Sequence, residues 1–296
     1  LVKTACGAPG IIGISGSHRY ICGFIRNRKC DRKHRAEFMT GKNPAASQNG
    51  PRSNDEFQWS KFDPEAYFEH YYGDPHPDDG RVTACAAKAL MEARTPYDGL
   101  AVVDVGTGPN LIPFLSALPR AKSLTAWEYS PANLDWLRAE LARPEMRPQW
   151  AYFWREVRAV YAQSPLSLPS DPMAELRSKV ELQQGSIFDL PQARWDAASM
   201  FFCAESITER ADEFETACAS FVRCVKPAGT LAAAFLVGSG GYEVAGRRFP
   251  AIRLSPQQIE AVFKSLCARV EIEPIGLVGE EIRSGYSGAL FLKAQV

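Results

Sequence analysis

At 296 residues, with 46% apolar composition and no formal net charge, the chain has enough material for one large folded domain or a domain with a cap. The charge balance argues against a whole-chain affinity for nucleic acid or an acidic membrane, and no apolar run approaches the roughly 20 residues of a membrane span. Eight cysteines, at 6, 22, 30, 85, 203, 218, 224 and 267, include no CxxC pair, which argues against a metal or disulfide scaffold and points to a reducing cytoplasm.

Residues 1–55 are rich in Gly, Ser, Asn, Lys and Arg and weakly periodic, with a basic run over 26–35. They read as a solvated, disordered tail rather than a nucleic-acid arm, and 1–38, ahead of Met39, as an upstream extension without a secretory signal. The folded unit is expected over 56–296. Its first part, 56–97, forms an N-terminal cap of two helices. One starts at Asp63-Pro64 and carries aromatics at helical spacing; the other covers 81–93. Asp74-Pro75-His76-Pro77-Asp78-Asp79 between them reads as a polar loop.

Alternation follows. Strands are expected near 101–105, 123–128, 179–184, 196–202 and 229–237, and helices near 110–117, 131–142, 209–225 and 256–267. This is an α/β pattern, a parallel sheet covered on both faces. An insertion over 144–178 holds a helix at 150–162 and a Pro/Ser-rich loop at 164–172. Lys226-Pro227-Ala228-Gly229 reads as a turn into the fifth strand. The runs 268–276 and 288–295 read as a hairpin at the sheet edge.

Chemistry concentrates at Val102-Val103-Asp104-Val105-Gly106-Thr107-Gly108-Pro109, a buried strand running into a glycine turn, with Glu128 closing the next strand. Glycines let a backbone approach an adenosine cofactor, and a carboxylate takes ribose hydroxyls. A dinucleotide fingerprint needs glycine where Leu111 stands, and Pro109 removes a phosphate-binding N–H. S-adenosylmethionine has no phosphate and tolerates that loss. Gly185-Ser186-Ile187-Phe188 after the third strand supplies a polar residue beside the adenine. A methyltransferase is the favoured reading, with an NAD(P) oxidoreductase and a non-catalytic cofactor binder as alternatives.

Four stretches resemble the family of nicotinamide, phenylethanolamine and thioether methyltransferases, a class I S-adenosylmethionine-dependent group. They are Phe62-Asp63-Pro64-Glu65-Ala66-Tyr67-Phe68-Glu69-His70-Tyr71-Tyr72, Asp104-Val105-Gly106-Thr107-Gly108-Pro109, Glu128-Tyr129-Ser130-Pro131-Ala132-Asn133-Leu134, and Lys226-Pro227-Ala228-Gly229. The resemblance covers roughly 57–296. It implies a Rossmann-like sheet of seven strands with an N-terminal helical cap, and S-adenosylmethionine as cofactor.

It also implies site residues. Tyr67 and Tyr72 reach the cofactor from the cap. Asp104, Gly106, Thr107 and Gly108 form the turn under its methionine part, with Asn133 near the carboxylate. Glu128 and Tyr129 flank ribose and adenine, Ser186 and Ile187 lie by the adenine, and Phe201 and Cys203 line the floor. Glu128 and Ser186 replace the family's aspartates. No metal is implied.

On the acceptor side, Glu205 is the first choice for a carboxylate near an amine, with Tyr242 and Glu243 in the stretch after the fifth strand and Tyr286 weaker. Leu236 stands near where the family has an acid, so the expected acceptor is a small aromatic or alicyclic amine rather than nicotinamide or phenylethanolamine. O- and S-transfer remain alternatives. The protein is expected to be a monomer or weak homo-oligomer without membrane or nucleic-acid partners.

Overall fold

The computed structural model describes residues 50–95, 99–162, 164–276 and 285–296. The basic run 26–35, and the rest of the expected tail up to residue 49, lie outside the described residues. Helix α1 (Pro64–Tyr71) begins where Asp63 accepts a hydrogen bond from Ala66 N and Pro64 sets the first turn. Helix α2 (Pro77–Met91) starts four residues earlier than the sequence pattern suggests. His76 caps it by accepting from Asp78 N, and Asp78 and Asp79 are buried in its first turn. The polar-loop reading of 74–79 therefore fails at Pro77, which takes the first helical position where no N–H is needed.

The sheet runs through β1 (Leu100–Val105), β2 (Ala121–Glu128), β3 (Val180–Gln184), β4 (Trp195–Phe201) and β5 (Val225–Leu236), paired in parallel in the order β3-β2-β1-β4-β5. Helices α3 (Ile112–Ala117), α4 (Pro131–Leu141), α5 (Pro148–Tyr161) and α6 (Pro172–Lys179) join α1 and α2 in one apolar core. Helices α7 (Ala211–Arg223) and α8 (Pro256–Leu266) build a second core on the opposite face. Strand residues divide by parity. Val102, Ala197 and Ala234 face the first core; Val103, Ala198 and Phe235 face the second.

The expected edge hairpin forms, with its second strand inside and its first at the edge. Strand β9 (Ala289–Gln295) pairs antiparallel with β5 on one side and with β8 (Arg269–Ile275) on the other, giving β3-β2-β1-β4-β5-β9-β8. The reason is burial: β9 is almost wholly buried, whereas β8 alternates and takes the edge. The Lys226-Pro227-Ala228-Gly229 turn survives as an irregularity within β5. Pairing with β4 shifts between Val225 and Thr230, and Ala228 takes φ +64°.

Sequence reading missed α6, although Asp171-Pro172 repeats the start signal of α1 and Asp171 accepts from Ala174 N. It also missed a small hairpin, β6 (Tyr242–Val244) with β7 (Arg247–Phe249), that leans its apolar residues on Phe62. Among the described residues no helix is long and apolar enough to cross a membrane. The expected tail boundary at residue 55 is also displaced. Arg52 is ion-paired with Glu209 at 3.0 Å, and Asn54 N donates to Glu213 at 2.8 Å.

Candidate active site

Strand order reverses between β1 and β4, and a cleft opens beyond their C-terminal ends, where such sheets place ligands. Its floor is the turn after β1. Gly106 and Gly108 adopt φ +67° and +59°, and a Cβ on Gly106 would overlap Cys203 Sγ. The turn is fastened to the end of β2, because Gly106 N donates to Trp127 O and Gly108 N to Glu128 Oε2, both at 2.8 Å.

Glu128 is buried, and its Oε1 accepts from Ser130 N at 2.7 Å and Asn133 Nδ2 at 3.2 Å. Glu128 lines the cleft at the end of β2, where its carboxyl group is the one that would take the ribose hydroxyls. Burial raises the Glu128 carboxyl against the pull of these donors. Beneath the turn, Asp104 accepts from Ser199 Oγ at 2.7 Å, and burial pushes its carboxyl up to about 7. The Cys203 thiol is held well above its ordinary range by burial and then by Glu128, Glu205 and Asp104, so it stays protonated. Asn133 Oδ1 and Ser130 Oγ are buried with no protein hydrogen-bond partner among the described residues, which leaves places for ligand donors. The residues present thus fit S-adenosylmethionine.

The cleft wall brings together Tyr67, Tyr72, Gly106, Thr107, Gly108, Glu128, Tyr129, Asn133, Ser186, Ile187, Phe201 and Cys203, with Asp104 beneath them. Tyr72 OH accepts from Asn110 Nδ2 at 3.1 Å, which fixes the cap against the turn. The Ser186 hydroxyl accepts from Phe188 N at 3.2 Å, and its carbonyl accepts from Trp127 Nε1 at 2.9 Å.

The acceptor-side expectations divide. Tyr242 lines the cleft; Glu205 and Glu243 do not. Glu205 is fully buried and accepts from Leu236 N at 2.9 Å, tying the loop after β4 to the end of β5. Its direction follows from that amide, which would otherwise be a buried donor without a partner. Glu243 is exposed on β6. Tyr286 is buried and donates to Asp78 at 2.8 Å, and it too is absent from the wall.

Residues the sequence reading missed complete the cap-side wall: Asn54, Trp59, Phe62, Phe202, Ser206 and Ile207. Phe202 holds φ +56°, a strained position at the end of β4. Tyr67 meets Tyr242 at 6.2 Å between ring centroids and Phe62 at 5.3 Å; Phe249 stacks on Tyr242 and on Trp59. Glu128 is the one charged side chain among the described residues that line the cleft.

A seven-stranded sheet with an antiparallel β9 beside β5, a glycine turn after β1 and a carboxylate closing β2 define a class I S-adenosylmethionine-dependent methyltransferase. The model of the NNMT/PNMT/TEMT family matches residues 52–284, and the chain belongs to that family; S-adenosylmethionine is its cofactor. The chain is 23% identical to human nicotinamide N-methyltransferase over 229 residues, covering 72% of this chain and 84% of the relative. It is also 23% identical to human phenylethanolamine N-methyltransferase, covering 70% and 78%. Magnesium protoporphyrin IX methyltransferase from Synechocystis shares the fold, with a TM-score of 0.52 at 11% identity over 83% of this chain and 99% of that one.

Proposed function

We propose that the protein methylates a nitrogen of a small aromatic or alicyclic amine. The observation that carries this reading is the aromatic, uncharged cap-side wall made by Trp59, Phe62, Tyr67, Phe202 and Tyr242. The names of the relatives, N-methyltransferases acting on nicotinamide and phenylethanolamine, support nitrogen as the acceptor atom.

The bound cofactor supplies an electrophilic methyl on a sulfonium centre. The chain's own residues then have three tasks. The glycine turn and Glu128 fix the cofactor. The aromatic rings sandwich the acceptor and exclude water, which holds the lone pair in line. Their faces also favour the positive charge that grows on nitrogen.

Glu128 is committed to Gly108, Ser130 and Asn133, and Glu205 to the Leu236 amide. This reading therefore has the amine entering as the neutral base, since among the described residues the wall carries no carboxylate besides Glu128 to keep it protonated. The catalytic unit in this reading reaches back to residue 50.

Incubation with labelled S-adenosylmethionine and a panel of amines, phenols and thiols tests the proposal. Label on an amine nitrogen is the expected result. Label only on phenols or thiols would move the assignment to O- or S-transfer. Tight S-adenosylhomocysteine binding with no transfer would favour a non-catalytic cofactor binder.

A further inference from the structure

We infer that Asn54 is a specificity-determining residue of the acceptor site that hydrogen-bonds an N–H or O–H of the acceptor, and that the Arg52–Glu209 pair positions it; this rests on the methyl-transfer reading above. Asn54 lies on the cleft wall beside Trp59, Phe62 and Ile207. Its backbone is already saturated. Its N–H donates to Glu213 Oε2 at 2.8 Å, and its carbonyl accepts from Trp59 Nε1 at 3.0 Å.

The side-chain amide is oriented by a single bond, Asn54 Nδ2 to Ile207 O at 2.9 Å. A carbonyl only accepts, so the amide nitrogen must sit on that side and Oδ1 on the other. Oδ1 takes no hydrogen bond from the described residues. A wall that is mostly aromatic, with Ser206 and Ile207 beside it, thus carries an oriented neutral acceptor, which selects a donor on the substrate. A site built around such a group discriminates strongly against an analogue that lacks the donor, because the polar atom is then desolvated without a partner.

Asn54 is held in place from the residue two before it. Arg52 Nη2 meets Glu209 Oε1 at 3.0 Å, Arg52 N donates to Glu209 Oε2 at 3.1 Å, and Glu209 N returns a bond to Arg52 O at 3.1 Å. The Arg52 guanidinium also lies 4.3 Å from the centroid of the Phe57 ring. These contacts anchor the segment independently of the Asn54 side chain. That side chain is therefore not needed to dock the segment, and its removal tests the site rather than the fold.

The test uses the full chain, labelled S-adenosylmethionine, and four probes: phenethylamine, tyramine, 4-methoxyphenethylamine and N,N-dimethylphenethylamine. The middle pair differs in a ring O–H, and the last probe lacks an amine N–H. The wild-type protein should prefer donor-bearing probes over their blocked counterparts. Asn54→Leu should lower kcat/KM for the preferred probes at least tenfold and collapse that preference to within twofold. S-adenosylhomocysteine affinity, read by calorimetry, should stay within twofold.

Glu209→Ala should raise the acceptor KM at least threefold with kcat held. Glu209→Gln, which keeps an oxygen for Arg52 N, should recover part of the loss. Survival of the preference in Asn54→Leu, a uniform loss across all four probes, or a parallel loss of S-adenosylhomocysteine affinity would each overturn the inference while leaving methyl transfer intact. Wild-type transfer confined to acceptors with no N–H or O–H would overturn it as well. If wild-type protein methylates nothing in the wider amine, phenol and thiol panel, the methyl-transfer reading itself fails.

Discussion

Glu205 and Glu128 are both buried acids at strand ends, yet their surroundings give them different work. Glu205 holds the Leu236 amide. Glu205→Gln keeps an oxygen for that amide, so kcat should change less than about threefold. Glu205→Ala leaves a buried N–H without its partner and should cost about 1–3 kcal/mol in urea unfolding. A large turnover loss in the glutamine variant at unchanged stability would put Glu205 back in the chemistry. Glu128 joins Gly108, Ser130 and Asn133, and Glu128→Ala should weaken S-adenosylhomocysteine binding at least tenfold by calorimetry.

Asp104 carries a pH signature. Its carboxyl rises from an ordinary 3.8 to about 7 in the fold, so the folded chain holds a proton there that the unfolded chain has released. Stability from this site is fully present below about pH 4 and is lost as pH rises through about 7. Asp104→Asn, which still accepts from Ser199, should shrink the stability difference between pH 5 and pH 8 in denaturant titrations. An unchanged difference would assign the pH dependence elsewhere.

At the scale of elements, helices α4 and α5 are joined by a buried acid. Glu140, 2% exposed, accepts from Trp150 Nε1 and Arg147 Nε, each at 2.8 Å, while the Arg147 guanidinium lies over the Phe68 ring. Glu140→Ala strands a buried indole N–H and leaves Arg147 to its more exposed partner Glu65, and should destabilise by about 1–3 kcal/mol in chemical denaturation.

The same scale separates what sequence made visible from what it hid. The glycine turn, the closing Glu128 and the start of α1 were legible because each is local: a few adjacent residues set a φ, a cap or a turn. The signal at Asp171-Pro172 was equally local and was masked by the Pro/Ser-rich stretch before it. Asn54 was hidden for a different reason. Its partners Ile207 and Glu213 lie 153 and 159 residues away, and nothing in the composition of 50–55 announces them. Glu205 sits beside the cleft-lining Ser206 but off the wall itself, with one oxygen on the Leu236 amide. A strand end can be read from the sequence, but the side chain's direction was settled by an amide 31 residues on.

At the scale of the whole molecule, two cores share one sheet. Cap helices and the insertion fill one face, and α7 and α8 fill the other. The cleft lies at the reversal between β1 and β4, while β9 and β8 lie beyond β5 on one side of the sheet. Beyond the reversal between β1 and β4, spatial order departs from chain order again at β9 and β8, and that second departure bears on how the protein is made. A ribosome releases roughly 5–20 residues each second. Strands β1 to β5 can find neighbours as they appear, but β8 emerges with none, because it touches the sheet only through β9. Until β9 follows, the flank of β5 over Thr230–Leu236 that β9 will pair stands open, an unpaired edge of the kind that recruits other chains. Chains truncated just before residue 289 should be the species most readily captured by a holdase chaperone, and restoring residues 289–296 should release them. The ligand-binding half of the sheet is thus translated early and sealed late.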